Sequence, residues 1–218
     1  MNHFSKARYL MVKQQVNPWS VSDSRILEIM GELPREQFVP KAYQALAYSE
    51  ADIPMGHDQT MLSPKVAARI IQACQISADD TVLEIGTGTG YMTAIICQLA
   101  KHVHSIEIYP DLMEKAESTL QAMNFHNLSL QIGNGASGLE HHAPYPVIIA
   151  TGAYYSVPAP LKHQLAVGGR LFACIGKAPA LQACLITRQS QDHFATEVLF
   201  ETNVPYLVHI DKPSGFQF

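Results

Sequence analysis

From residue 81 onward the chain alternates short apolar runs with stretches whose apolar residues recur every three or four positions. The apolar runs are 81–85 (TVLEI), 103–108 (VHSIEI), 128–132 (LSLQI), 146–151 (PVIIAT) and 170–175 (RLFACI). Helical spacing fills 90–100, 110–123 and 158–166 between them. Strands separated by helices imply crossover connections, and hence a largely parallel sheet covered on both faces. Two further runs, 181–188 and 194–202, are divided only by the polar turn QSQD, which predicts an antiparallel hairpin on the sheet edge. The pattern therefore predicts an α/β fold around a mostly parallel, seven-stranded sheet.

The first part of the chain reads differently. Residues 4–15 carry Leu10, Met11 and Val12 among polar neighbours, and Ser22 is a candidate cap for a helix holding Ile26, Leu27, Ile29 and Met30. Gly31 and Pro34 end that helix, and a short helical piece runs from Pro40 through Tyr43 and Leu46. Residues 51–62 (ADIPMGHDQTML), punctuated by Pro54 and Gly56, predict a loop or weakly extended segment. Ser63 then caps a helix with Pro64 at its first position and Val66, Ala67, Ile70, Ile71 and Cys74 on one face. We expect one compact domain: a helical extension and loop over 1–62, and an α/β core over 63–218.

Composition narrows the class. Of 218 residues, 47% are hydrophobic and 16% charged, which excludes a disordered chain. No run of 18 apolar residues occurs, so no membrane span is expected. Fifteen basic against nineteen acidic residues, without a basic cluster, argue against nucleic acid as a partner. Cys74, Cys97, Cys174 and Cys184 form no C-x-x-C pair and sit in apolar runs, as buried thiols of a reducing compartment do. The first fifteen residues hold only a four-residue apolar run before Lys13, so no signal peptide and a cytoplasmic location are expected.

The strongest chemical signal is the strand-to-helix turn from Glu84 through Gly86, Thr87, Gly88, Thr89 and Gly90. Glycines there let the backbone turn sharply and approach a ligand. A dinucleotide fingerprint reads G-x-G-x-x-G, whereas here the spacing is G-x-G-x-G with an acid just before it. An acid suits a cationic nucleoside such as S-adenosylmethionine better than a pyrophosphate. Glu107 ends the next strand, where a carboxylate can accept ribose hydroxyls. Asn134, flanked by Gly133 and Gly135, offers the acceptor and donor that an adenine edge requires; an ordinary Gly/Asn turn fits it equally well.

These segments resemble the protein-L-isoaspartate O-methyltransferase family of S-adenosylmethionine-dependent enzymes. The resemblance rests on PREQFVP (34–40), IPMGHDQT (53–60), VLEIGTGTGY (82–91), HSIEI (104–108), GNG (133–135), APYPVIIATGA (143–153) and LAVGGRLFACIG (165–176). It implies a Rossmann-like fold, S-adenosylmethionine as cofactor, and a polypeptide partner carrying isoaspartyl residues whose carboxylate is methylated. It places the cofactor against Glu84, Gly86, Thr87, Gly88, Thr89, Gly90, Glu107, Ile108, Asn134, Gly135 and Thr151, and the acceptor against Ile53, Pro54 and Gln59. Tyr154, after the fourth strand, is a further acceptor-side candidate because strand ends carry ligands in such sheets, and an aromatic packing role fits it equally well. The family's Q-T-I-S becomes Gln59-Thr60-Met61-Leu62 here, so Leu62 stands where the active-site serine is expected, between Thr60 and Ser63. Asn134 replaces an aspartate and Pro146 an acid. A different acceptor, or nucleoside binding without catalysis, are the competing readings, and Leu62 motivates the first.

Methylation of a carboxylate needs no general base, because the acceptor is already ionised at neutral pH. His57 is the base candidate should the acceptor be a hydroxyl or amine. His102 and His104 share a strand face, but no third ligand is evident, and no metal is expected.

Overall fold

A computed structural model describes residues 3–212 of the chain; 213–218, the end of the expected core segment, lie outside the described residues. Helices α1 (His3–Met11) and α2 (Ser24–Glu32) lead into the antiparallel pair β1 (Ile53–Gly56) and β2 (Gln59–Met61). After α3 (Pro64–Cys74) come β3 (Thr81–Ile85), α4 (Tyr91–Cys97), β4 (His102–Glu107), α5 (Pro110–Ala122) and β5 (Leu128–Ile132). The chain then forms β6 (Tyr145–Tyr154), α6 (Ala159–His163), β7 (Leu165–Lys177), β8 (Ala180–Arg188) and β9 (Phe194–Thr202). The seven-stranded sheet has the order β5-β4-β3-β6-β7-β8-β9, parallel through β7 and antiparallel at β8 and β9. The expected fold class and edge hairpin are therefore present.

The order places β4 on one side of β3 and β6 on the other. Successive crossovers diverge there, and the crevice beyond the strand carboxyl ends is where such sheets hold ligands. The strands are continuous apolar runs because helices bury both faces: Val82, Leu83, Val147, Ile148 and Ile149 are fully buried. One face packs against α3 through Ala67, Ile70, Ile71 and Cys74, each isoleucine contributing about 1.5–3 kcal/mol by burial. All four cysteines are buried free thiols, and none of the described helices is long and apolar enough to cross a membrane.

Three local expectations require correction and a fourth is sharpened. Residues 53–61, expected as a loop or weakly extended segment, form a hairpin, with Ile53 opposite Met61 and turn residues His57 and Asp58 at positive φ. The cap of α2 is Asp23, whose Oδ1 accepts from the Arg25 N–H, not Ser22. Ser63 holds the cap position of α3, but its side chain makes no capping bond. The helix expected over 158–166 stops at His163, because Leu165 already pairs with Tyr145 as the start of β7.

Candidate active site

A cleft lies at the carboxyl ends of β3, β4 and β6, with about 910 Å³ of non-protein space, open solvent at its mouth included. Its floor is the glycine turn. Gly86 sits at φ +94°, and a Cβ there would lie 2.3 Å from the Thr151 hydroxyl. That hydroxyl is within hydrogen-bonding distance of the carbonyls of Ile85 (3.0 Å) and Gly86 (2.9 Å), tying β6 to the turn. At the opposite wall, a Cβ on Gly135 would come within 2.5 Å of Ile106 Cγ2 and 3.1 Å of Ile85 Cγ2. Only glycine lets the main chain approach this closely at these two positions.

Two carboxylates organise the turn. Glu107 Oε2 accepts from the Gly88 N–H at 2.8 Å, and its Oε1 accepts from the N–H groups of Ile108 (2.9 Å) and Tyr109 (3.1 Å). A carboxylate has about four acceptor positions, so one remains on Oε2 for a ligand hydroxyl. Glu84 stands behind the turn, fully buried. Its Oε2 accepts from Thr93 and Ser105 at 2.6 Å each, and Thr87 lies 2.6 Å from the Ser105 hydroxyl. Because Ser105 donates to Glu84, Thr87 donates to Ser105, which makes a relay from the turn to the acid. Burial pushes the Glu84 carboxyl up to about 7; the Ser105 and Thr93 bonds oppose this, and the Glu107 charge adds to it. Its Oε1 is buried without a hydrogen-bond partner.

Two elements cover the cleft. The β1–β2 hairpin sets Met55 against the turn, its sulfur 3.2 Å from where a Gly88 Cβ would be. At the hairpin tip, His57 stacks on Tyr109 at 3.8 Å between centroids and meets Asp111 Oδ1 at 2.8 Å. That pairing holds the Asp111 carboxyl below its ordinary value. Residues 205–208 return along β6, where the Ala153 N–H donates to the Pro205 carbonyl (2.9 Å) and the Leu207 N–H to the Ala153 carbonyl (3.0 Å).

The cleft wall brings together Gln59, Thr60, Leu62, Gly86, Thr87, Gly88, Thr89, Glu107, Ile108, Asn134, Gly135 and Thr151 of the expected residues. Six others lie elsewhere. Glu84 acts from behind the wall, and Gly90 packs on Ala116 and Leu120. Ile53 is core, and Pro54 and Ser63 lie outside the wall. Tyr154 is fully buried, its hydroxyl donating to the Ala136 carbonyl at 2.9 Å, so it packs rather than meeting an acceptor. Asn134 Oδ1 accepts from the Ala136 N–H at 3.0 Å, which closes its turn. His104 stacks on His142 at 4.1 Å, and burial pushes its pKa down to about 4, the neighbouring imidazoles His142 and His102 adding to this. No group of three or more candidate metal ligands occurs among the described residues.

Sequence reasoning missed Arg35, Met55, Tyr91 and Leu207 in the wall. Arg35 and Tyr91 fall inside quoted motifs, but their burial beside the cleft is a tertiary fact. Among the described lining residues Arg35 is the one lysine or arginine. The turn side thus offers a free carboxylate position and apolar surface from Ile85, Ile106, Met92 and Leu112, with no cation for a pyrophosphate. This donor set fits a nucleoside bearing hydroxyls and no phosphate.

The sequence model of the protein-L-isoaspartate(D-aspartate) O-methyltransferase family matches residues 6–212. A protein-L-isoaspartate O-methyltransferase of Protochlamydia amoebophila is 40% identical over 190 residues, 87% of this chain and 90% of that protein. One from Brucella anthropi is 37% identical over 200 residues, 91% of this chain and 92% of that protein. A solved protein-L-isoaspartate O-methyltransferase superposes with a TM-score of 0.79 at 24% identity, covering 93% of this chain and 65% of the other. A Plasmodium falciparum structure assigned to the same class, in complex with S-adenosyl-L-homocysteine, gives 0.80 at 15% identity over 92% and 97% of the two chains. This chain belongs to the protein-L-isoaspartate(D-aspartate) O-methyltransferase family.

Proposed function

We propose that the chain is an S-adenosylmethionine-dependent carboxyl methyltransferase that methylates L-isoaspartyl residues of damaged polypeptides. The observation that carries this reading is the polarity of the cleft. One wall presents Glu107 and the glycine turn, and the other presents the Gln59–Leu62 strand end beside Arg35. The first wall suits a cationic nucleoside and the second an anionic acceptor. When bound, S-adenosylmethionine supplies a methyl group activated on a sulfonium.

The chain's own residues orient the two partners. Glu107, held by three main-chain N–H groups, keeps one acceptor position aimed at a sugar hydroxyl. Gly86, Thr87, Gly88, Thr89, Ile108, Asn134, Gly135 and Thr151 shape the surface around it. Thr60 and Gln59 line the acceptor side with Leu62. The hairpin and residues 205–208 cover part of the cleft, and rate comes chiefly from positioning the two partners. No base is required for an ionised acceptor, and His57 instead fastens the hairpin tip to Asp111. The four buried thiols support a reducing, cytoplasmic setting.

A second reading, another acceptor on the same scaffold, is favoured by Leu62, which brings no hydroxyl to the cleft. Calorimetric titration with S-adenosylhomocysteine, together with transfer of a labelled methyl group to an isoaspartyl peptide, tests both. Binding with transfer supports the first reading. Binding without transfer to that peptide removes it.

A further inference from the structure

Arg35 is 1% exposed and lines the cleft with Thr60, Leu62 and Tyr91. A guanidinium stays charged in proteins, and an unpaired buried charge is so unfavourable that buried arginines ordinarily have a counter-ion. Arg35 lacks one. Its Nε donates to the Ala47 carbonyl at 2.8 Å and its Nη2 to the Leu62 carbonyl at 3.0 Å, both neutral acceptors. Its guanidinium carbon lies 4.6 Å from the centroid of the Tyr91 ring. None of the carboxylates of the described residues forms an ion pair with it. Glu36, the nearest acid in sequence, is turned toward Arg8 at 4.0 Å and accepts from the Tyr48 hydroxyl. Burial accordingly holds the Arg35 pKa below the ordinary arginine value. The buried Tyr91 hydroxyl lies beside it; burial raises the Tyr91 pKa and the neighbouring Arg35 guanidinium opposes this.

A buried guanidinium without a counter-ion thus stands at the acceptor end of the cleft, at the strand end where Leu62 provides no hydroxyl. We propose that Arg35 is the specificity-determining residue for the acceptor, supplying the counter-charge for its carboxylate. The inference rests on the reading of the chain as an isoaspartyl methyltransferase. Methylation converts a carboxylate into a neutral ester, so this attraction is strongest in the bound ground state and absent in the product. It therefore favours acceptor binding and discriminates against the methylated product, and its loss leaves the chemical step no slower.

The test uses the full chain saturated with S-adenosylmethionine for kinetics, and with S-adenosylhomocysteine for acceptor binding. Wild type is expected to bind an isoaspartyl peptide at least about 10-fold more tightly than the same peptide with the carboxylate replaced by an amide. Arg35→Met, which substitutes an apolar chain of similar length, should raise the KM for the isoaspartyl peptide about 10- to 100-fold and abolish the preference over the amide. Its kcat should be unchanged or higher, and its S-adenosylhomocysteine affinity should stay within about 3-fold. Arg35→Lys retains the charge without the fork and should restore part of the preference. Equal binding of the two peptides to wild type overturns the proposal whether or not the variants fold. So does an Arg35→Met enzyme with wild-type KM, or one whose cofactor affinity and kcat fall with the peptide preference intact. Failure of wild type to methylate any isoaspartyl peptide would instead remove the parent reading.

Discussion

Replacing Glu107 by glutamine probes the group that orders the cofactor side. The carboxylate accepts three main-chain N–H groups, one on Oε2 and two on Oε1, while being 5% exposed. A glutamine has one carbonyl oxygen with two acceptor positions and an NH2 that only donates. Placing the oxygen toward Ile108 and Tyr109 turns the NH2 against the Gly88 N–H; the opposite rotamer strands two donors. Each arrangement leaves at least one buried N–H unpaired, a loss of about 1–3 kcal/mol, and converts charge-assisted bonds into weaker neutral ones. We expect a total loss of about 2–3 kcal/mol, which lowers the thermal midpoint of a chain this size by about 4–12 °C. The acceptor position left for a ligand hydroxyl also disappears, so S-adenosylhomocysteine affinity should fall about 10- to 100-fold. Differential scanning fluorimetry and isothermal titration calorimetry read the two effects. A variant with an unchanged midpoint and affinity within about 2-fold of wild type would refute the role given to Glu107.

Gly135→Ala places a Cβ 2.5 Å from Ile106 Cγ2, whereas at Gly133 the nearest atom is 3.6 Å away; thermal melts should show a loss of about 1–3 kcal/mol for the first and little for the second. Burial raises the Glu84 carboxyl to about 7 from 4.5, so between those values the folded chain holds a proton that the unfolded chain has released. Stability contributed by Glu84 is then full at the acid end and lost as pH rises through the window; the midpoint of wild type relative to Glu84→Gln should decline from pH 5 to pH 8, and a constant difference contradicts this. Leu62→Ser adds a hydroxyl to the acceptor side and should raise kcat/KM on an isoaspartyl peptide by up to about 10-fold; no gain, with cofactor affinity intact, favours another acceptor.

The sheet was legible because buried parallel strands are uninterrupted apolar runs, and the boundaries expected at 81–85 and 128–132 coincide with those of β3 and β5. The hairpin at 53–61 was not, since Pro54, Gly56 and the polar His57-Asp58 tip carry turn chemistry and its strands are too short to show alternation. The premature end of α6 is set by pairing of Leu165 with Tyr145, a contact between distant segments that no local window contains. The same holds in the site. The glycine turn and Glu107 declare themselves by spacing along one strand–helix–strand unit. Glu84 shares that unit, but it faces Thr93 and Ser105 rather than the cleft. Tyr154 continues β6 into the core instead of ending at the cleft, and Arg35 gains its meaning only from the carbonyls and ring that surround it.

The central claim is tested most directly by offering one peptide sequence in two forms, with an L-isoaspartyl or an ordinary L-aspartyl residue at the same position, and following methyl transfer from labelled S-adenosylmethionine. The expected result is transfer to the isoaspartyl form and none above background to the aspartyl form. Saturable cofactor binding without transfer to the isoaspartyl peptide, or equal transfer to both peptides, would contradict it.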